Sequence, residues 1–128
     1  MPVTRTVLVV EDEADLLFTV SLALEMNGFT VLQTASGEEA LEAVAAEQPD
    51  AVVLDLRLPG IDGWEVLRRL GEGGRVSPPV VLLSAQVDAA TASRAMALGC
   101  HAYLAKPFRP AELARVLEEV LAEAGGKP

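Results

Sequence analysis

The chain is poor in several residue types, and each shortage excludes a kind of structure. It contains one cysteine, Cys100, so no disulfide can form within it, which fits a reducing cytoplasm. Aromatic residues make up 4% of the chain, so Val, Leu and Ala must fill its interior. The apolar run after residues 1–5 is too short for a signal peptide or a membrane span. These shortages favour a cytoplasmic location.

Basic residues are also scarce. Ten Lys and Arg face 19 Asp and Glu, and the formal net charge of −9 excludes a general attraction to nucleic acid or anionic membranes. Such a chain can attract a cation or a basic partner, although solubility alone also explains its charge. In contrast, 51% of the 128 residues are hydrophobic, which predicts one globular domain with its own core.

Short apolar runs alternate with segments of helical spacing along the chain. The predicted strands are Thr6–Val10, Thr30–Gln33, Ala51–Leu54, Val80–Leu83 and Ala102–Ala105. The predicted helices are Asp15–Met26, a helix capped by Ser36 that ends near Glu47, Trp64–Leu70, Asp88–Leu98 and Pro110–Ala124, with Gly71–Pro78 as a connection. Strands without polar alternation predict burial on both faces, hence an α/β fold with helices covering a parallel sheet. The predicted domain is 1–124, and 125–128 is a tail or the start of a linker.

Polar residues follow four of the five predicted strands. Glu11 and Asp12 come after the first, Asp55 after the third, Ser84 after the fourth and Lys106 after the fifth. In open parallel sheets, ligands bind outside the carboxyl ends of the strands, so these residues should share one site. Three crowded carboxylates repel each other unless a hard cation joins them. Mg²⁺ binds carboxylates, waters and phosphate oxygens, so the pattern predicts a hydrated Mg²⁺ beside a phosphoryl group.

Each of the other predicted site residues suits phosphoryl transfer. The carboxylate of Asp55 can act as a nucleophile and form an aspartyl phosphate. The hydroxyl of Ser84 and the ammonium of Lys106 can hold phosphoryl oxygens. Lys106-Pro107 is a candidate cis peptide, because X–Pro bonds have a low cis penalty.

With these residues the chain resembles the receiver domains of two-component response regulators. The resemblance extends over residues 6–122 and is carried by four stretches. They are Val-Val-Glu-Asp-Glu at 9–13, Leu-Asp-Leu-Arg-Leu-Pro-Gly-Ile-Asp-Gly at 54–63, Leu-Leu-Ser-Ala at 82–85 and Tyr-Leu-Ala-Lys-Pro-Phe at 103–108. One stretch alone would be weak evidence, whereas their order and spacing together are specific.

The resemblance implies a flavodoxin-like, doubly wound fold of five βα units, with a five-stranded parallel sheet in the order 2-1-3-4-5. It identifies Asp55 as the phosphoacceptor of a sensor histidine kinase or histidine phosphotransfer protein. It assigns Mg²⁺, with Mn²⁺ as a substitute, to Glu11, Asp12, Asp55 and the backbone carbonyl of Arg57. It also implies a surface, formed by the fourth helix, fifth strand and fifth helix, that switches on phosphorylation and binds an effector or a second copy.

Further roles come from the same resemblance. Lys106 corresponds to the phosphoryl-binding lysine, and Ser84 and Tyr103 correspond to a switch pair that senses the phosphoryl group. Arg57 and Gln86 lie two residues beyond Asp55 and Ser84, where they would tune the lifetime of the phosphoryl group. Two departures are Glu11, where aspartate is usual, and Ser84, where threonine is frequent. Tyr103 can alternatively be a half-buried strand aromatic with no switching role.

Three functions compete at this point. The first is a phosphorylated signalling domain that is no enzyme beyond its own phosphorylation and slow dephosphorylation, and that binds neither nucleic acid nor membrane. The second is a receiver-like interaction module that works without phosphorylation. The third is an aspartate-nucleophile phosphatase, which needs an acid two residues after the nucleophile, where this chain has Arg57. Outside the site, we expect Cys100 to be buried and His101 to lie at the surface or at a strand edge. Trp64 is expected to pack at the base of its helix, with a partner contact as the alternative.

Overall fold

The computed structural model describes residues 4–72, 78–85 and 88–125, with backbone alone at 124 and 125. Five strands alternate with five helices. The strands are β1 (Thr6–Val10), β2 (Thr30–Thr34), β3 (Ala51–Asp55), β4 (Val80–Ser84) and β5 (Ala102–Ala105). The helices are α1 (Ala14–Met26), α2 (Gly37–Glu47), α3 (Gly63–Leu70), α4 (Ala89–Ala97) and α5 (Pro110–Gly125). The predicted alternation of strand and helix is confirmed.

All five strands are parallel and lie in the order β2-β1-β3-β4-β5. The α/β fold and the strand order implied by the resemblance are therefore confirmed. The register matters for the site, because Asp55 at the end of β3 pairs with Leu83, directly before Ser84 at the end of β4. The carboxyl ends of neighbouring strands thus lie level with one another.

The sheet separates two hydrophobic cores. Successive side chains of a strand point to opposite faces. Val7 and Val9 pack with α1 and α5 on one face, whereas Leu8 and Val10 pack with α2, α3 and α4 on the other. The central strands β3 and β4 are buried throughout, as their continuous apolar runs predict. Two-sided burial is wrong for β2, whose residues are partly or fully exposed, because β2 lies at the edge of the sheet.

Local side-chain caps explain where the helices begin. The hydroxyl of Ser36 accepts a hydrogen bond from the Glu39 amide at 3.2 Å, which is the predicted cap of α2. Asp62 caps α3 by accepting from the Glu65 amide at 3.0 Å, and α3 therefore begins at Gly63, one residue before its predicted start. Asp88 caps α4 in the same way.

Several predicted bounds are wrong by one residue or lie outside the described ranges. α1 begins at Ala14 instead of Asp15, and α5 reaches Gly125 instead of Ala124. Helix α4 covers residues 89–97, since Asp88 and Leu98 are its caps. The connection predicted at 71–78 falls mostly outside the described residues. Within those residues, no helix has both the length and the apolar character needed to cross a membrane.

Gly63, the first residue of α3, packs directly against the end of β3. Its amide donates to the carbonyl of Leu56 at 2.9 Å. A Cβ at this position would lie 2.6 Å from the carbonyl oxygen of Asp55 and 2.6 Å from the Cα of Leu56. Both contacts are with backbone, which cannot rotate away as a side chain can. Glycine is therefore required here because of close approach, and it brings the start of α3 beside Asp55.

Replacing Gly63 with alanine should destabilise the fold strongly. We expect Gly63→Ala to lower the free energy of unfolding by roughly 2–3 kcal/mol or more, since overpacking against rigid neighbours forces backbone shifts. The measurement is urea unfolding followed by circular dichroism. Gly71→Ala is the matched control, because a Cβ there meets no atom closer than 3.7 Å. Equal stability of the two variants would contradict the close-packing argument.

Candidate functional site

The carboxyl ends of β1, β3, β4 and β5 surround one cavity. Its volume is about 1070 Å³. Residues after each of these strands line it: Glu11, Asp12, Glu13, Asp55, Leu56, Arg57, Leu58, Pro59, Asp62, Trp64, Ser84, Ala85 and Lys106. The structure thus brings together the residues that the sequence placed at this edge of the sheet.

Three carboxylates converge in this cavity. One oxygen from each of Glu11, Asp12 and Asp55 lies within 4.8 Å of the other two. Glu11 and Asp55 are almost fully buried, at 2% and 3% exposure, whereas Asp12 is exposed. The cluster therefore has a buried base and one member in contact with solvent, and its oxygen atoms are of the kind that Mg²⁺ and Ca²⁺ prefer.

Lys106 is the cationic partner of the buried acids. Its Nζ donates to Oδ2 of Asp55 at 2.7 Å and to Oε1 of Glu11 at 3.3 Å. The Lys106-Pro107 peptide bond is cis. The backbone amide of Lys106 donates to the carbonyl of Ser84 at 2.8 Å, so the ends of β5 and β4 are held together at the cavity. The side chain of Lys106, directly after β5, reaches past the end of β4 to Asp55 at the end of β3.

Backbone amides bind the remaining oxygens of the two buried carboxylates. Oδ1 of Asp55 accepts from the amide of Arg57 at 3.0 Å, and Oε2 of Glu11 accepts from the amide of Glu13 at 3.1 Å. Each carboxylate is therefore oriented by a residue two positions further along its own loop. Charge-assisted bonds of this kind fix the direction of a carboxylate more strongly than neutral ones do.

Burial and the neighbouring charges change the ionisation of Glu11 and Lys106. Burial, followed by the hydrogen bond with Asp55, raises the pKa of Glu11 to about 7, while the Glu13 amide and Lys106 act in the opposite direction. Burial alone would lower the pKa of Lys106. The hydrogen bond and negative charge of Asp55, and then those of Glu11, outweigh burial and raise that pKa. The ammonium therefore stays charged and offsets part of the repulsion between the acids.

The predicted switch residues occupy different surroundings. Ser84 is buried and lines the cavity, whereas Tyr103 is half-buried and packs in the core beneath α2, α3 and α4. The phenol oxygen of Tyr103 is buried, and the described residues provide it with no hydrogen-bond partner. Arg57 is exposed at the cavity wall. Gln86 lies outside the described residues.

Seven of the lining residues were not predicted as site residues, and two of them, Asp62 and Trp64, belong to the start of α3. Asp62 caps α3 and lines the cavity, and Trp64 lines it too, although we expected Trp64 to pack at the base of its helix or to contact a partner. Their place in the chain could have identified them, because the loop after Asp55 must pass the same edge before α3 begins. Cys100 is buried and His101 is exposed, as expected.

Comparison with known proteins gives a consistent family assignment. The family model described as response regulator receiver domain matches residues 7–118. PhoB of Pseudomonas aeruginosa, a phosphate regulon transcriptional regulatory protein, is 34% identical over 124 residues, which are 96% of this chain and 54% of that protein. The DNA-binding response regulator MtrA of Mycobacterium leprae is 40% identical over 109 residues, 85% of this chain and 48% of MtrA. The chain thus spans about half the length of these curated relatives.

Solved structures of response regulators are also similar to this chain over most of its length. The BeF3-activated N-terminal receiver domain of RstA from Klebsiella pneumoniae has a TM-score of 0.83 at 30% identity, covering 91% of this chain and 98% of that one. The chemotaxis response regulator CheY4 of Vibrio cholerae has a TM-score of 0.86 at 26% identity, covering 92% of this chain and 99% of that one.

Removing the buried charge of Glu11 should stabilise the metal-free protein at alkaline pH. Because folding raises its pKa from 4.5 to about 7, stability of the wild type should fall as the pH rises through that interval. Glu11→Gln avoids this loss. Urea unfolding at pH 8 with a chelator should show a gain on the order of 1 kcal/mol, and the gain should vanish near pH 4.5. Glu42→Gln, at an exposed site, is the control. A gain that does not vary with pH would contradict this account.

Proposed function

Since this chain belongs to the family of response regulator receiver domains of two-component systems, we propose that it accepts a phosphoryl group on Asp55 with Mg²⁺ bound beside it. One observation carries this proposal. The carboxylates of Glu11, Asp12 and Asp55 converge within 4.8 Å in an open cavity, and Lys106 donates to Asp55 at 2.7 Å. A carboxylate nucleophile, a cluster for a hard cation and a fixed positive charge are the groups that phosphoryl transfer needs.

The donor set fits a divalent cation. Glu11, Asp12, Asp55 and the carbonyl of Arg57 would hold Mg²⁺, or Mn²⁺ as a substitute, with water completing its coordination. The exposed carboxylate of Asp12 supports this assignment, because a hydrated ion needs access to solvent. When bound, the ion supplies positive charge that offsets the carboxylates and the transferring group.

In the proposed reaction, one carboxylate oxygen of Asp55 forms a bond to phosphorus. The phosphorus–nitrogen bond of the donor phosphohistidine breaks, and the imidazole nitrogen leaves with the electron pair. Lys106 exchanges its contact with the Asp55 carboxylate for one with a phosphoryl oxygen, and the buried hydroxyl of Ser84 donates to another. Arg57 cannot act as the general acid–base of a phosphatase, so the domain catalyses only its own phosphorylation and slow dephosphorylation, with Arg57 and Gln86 tuning the lifetime.

The output of this reaction is a switch on the surface of α4, β5 and α5. Ser84 and Tyr103 form the switch pair, and their partner is an effector domain, an effector protein or a second copy of the chain. The buried, unpaired phenol oxygen of Tyr103 supports a moving side chain, because pairing that group elsewhere would remove an energetic cost. The alternative, an interaction module that needs no phosphorylation, predicts identical effector binding by the wild type and Asp55→Asn.

The proposed domain comprises residues 1–124, and 125–128 form a tail or the start of a linker. Its place of action is the cytoplasm, where histidine kinases present their phosphoryl groups. Its net charge of −9 supports a domain that does not itself bind nucleic acid or membranes. Any DNA binding of the kind named for MtrA would belong to a separate effector region.

Labelling with acetyl phosphate tests the central proposal. With Mg²⁺ present, intact-mass spectrometry should detect one phosphoryl group on the wild type and none on Asp55→Asn. A chelator should abolish the label, and Asp12→Asn should raise the Mg²⁺ concentration required for labelling at least tenfold, because one charged ligand is lost.

Asp62→Asn is the matched control for these variants. Asp62 lines the same cavity but lies outside the carboxylate cluster, and asparagine caps a helix as well as aspartate does. This variant should be labelled like the wild type. Equal labelling of Asp55→Asn and the wild type would refute the assignment of Asp55, and absence of label on the wild type would refute the chemistry.

The exposed face of α1 supports docking of a protein donor. Phe18, Leu22 and Met26 are 66%, 46% and 79% exposed, and their spacing of four residues aligns them on one face of the helix. α1 begins directly after Glu13, which lines the cavity, so this apolar stripe extends away from the cavity mouth. A donor histidine protein that reaches Asp55 can cover the stripe at the same time.

Phosphoryl transfer from a protein donor should therefore depend on the stripe. We expect Leu22→Ser to slow transfer from a histidine phosphotransfer domain about tenfold, as the loss of one interface anchor would. Labelling by acetyl phosphate should not change, since that donor needs no docking surface. Met96→Ser, at an exposed apolar residue of α4, should leave both rates unchanged. Equal slowing by both donors would place the defect in the cavity instead of the docking surface.

A further inference from the structure

Trp64 contacts two separate regions of the molecule. It stands in the first turn of α3, is half-buried and is the only tryptophan in the chain. On one side it lines the cavity that contains Asp55. On the other it lines a second cavity, of about 460 Å³, which α3 and α4 enclose. The indole is thus a shared wall between the carboxylate site and the groove leading to α4.

Arg94 of α4 stacks on this indole. Its Cζ lies 4.0 Å from the centroid of the Trp64 ring, which is within the range of a cation–π contact. The arginines of α3 differ from it, because Arg68 and Arg69 form ion pairs with Glu65 at 2.7 Å. Within the part of the chain that the structure describes, Arg94 has no ion pair. The contact that the structure shows for its guanidinium is the one with this indole.

The stack joins α4 to the wall of the site through one side chain. Trp64 follows Gly63, whose backbone packs against the carbonyl of Asp55, so the indole stands on a rigid base beside β3. Because Trp64 lines the cavity, a ligand bound there would share the cavity with this side chain and could change its position. A shift of the Trp64 indole would change its contact with the guanidinium of Arg94.

We propose that the stack of Arg94 on Trp64 couples occupancy of the Asp55 cavity to the position of α4. This inference rests on the proposed function, because phosphorylation of Asp55 is the change of occupancy that it transmits. The coupling is reciprocal, so a partner that binds α4 changes the affinity of the cavity by the same factor. The energy of one partly exposed cation–π contact limits that factor to about fivefold.

Beryllofluoride, a phosphoryl mimic, provides the test. Binding of BeF₃⁻ with Mg²⁺ is followed by the fluorescence of Trp64, and the response of α4 by amide hydrogen exchange over residues 89–97. In the wild type, ligand should change both signals. In Arg94→Gln, which keeps a polar side chain and removes the charge, binding should persist with affinity changed up to fivefold. The ligand-dependent change in α4 exchange should fall by half or more.

Three further variants isolate the contact. Arg94→Lys keeps a cation above the ring and should restore most of the α4 response. Trp64→Phe keeps an aromatic face and should retain a weaker response, whereas Trp64→Leu should abolish it; exchange alone is measured in these two variants. Arg115→Gln is the control, since Arg115 is an exposed arginine of α5 that pairs with Glu119, and it should behave as the wild type.

Failure of the coupling and failure of the proposed function give different results. If the wild type does not bind BeF₃⁻ and takes no label from acetyl phosphate, the proposed function fails. If the wild type binds but Arg94→Gln shows the same α4 response, the function stands and the coupling is wrong. A loss of response in Arg115→Gln equal to that in Arg94→Gln would also overturn it, because the effect would then be one of general charge.

Discussion

The pairing of Lys106 with two buried carboxylates is the interaction on which the rest of the site depends. Glu11 and Asp55 lose nearly all contact with water, and buried carboxylates without a partner would destabilise the fold by several kcal/mol. Lys106 at 2.7 Å from Asp55 offsets that cost. β4 lies between β3 and β5, so this strand order places Lys106 close enough to reach the end of β3. The strand order therefore brings the opposite charges of the site together, and their pairing in turn stabilises the buried end of β3.

The same balance explains why the site suits a reversible modification. Lys106 does not neutralise all three acids, and the raised pKa of Glu11 reflects first its burial and then its hydrogen bond with Asp55 and the negative charge of that residue. A divalent cation and then a phosphoryl group would each change this local charge, so every step of the proposed cycle alters the forces at the ends of four strands. No acid follows Asp55 two residues later, which favours a group that stays bound over one that is quickly hydrolysed.

The first turn of α3 connects this site with α4, which packs on the same face of the sheet. Gly63 packs on the backbone of Asp55, and Trp64 carries the contact from the cavity wall to Arg94 on α4. The proposed switch pair of Ser84 and Tyr103 forms a second connection through β4 and β5. Both connections would reach the surface of α4, β5 and α5. The first depends on a cation–π contact, and the second depends on the hydroxyl groups of Ser84 and Tyr103.

The amino-acid sequence by itself determined the order of the elements, the parallel sheet and most of the site. Those features follow from apolar runs, from the cap at Ser36 and from polar residues at strand ends, all of which are local. Only the tertiary structure decided the exposure of β2, the place of Trp64 in the cavity wall and its stack with Arg94. Edge position and contacts between α3 and α4 depend on how distant segments pack, and no spacing along the chain encodes them. The pairing of Lys106 with Asp55 depends on both sequence and tertiary structure. The sequence predicted that the two residues share a site, and the folded sheet brings them to 2.7 Å from each other.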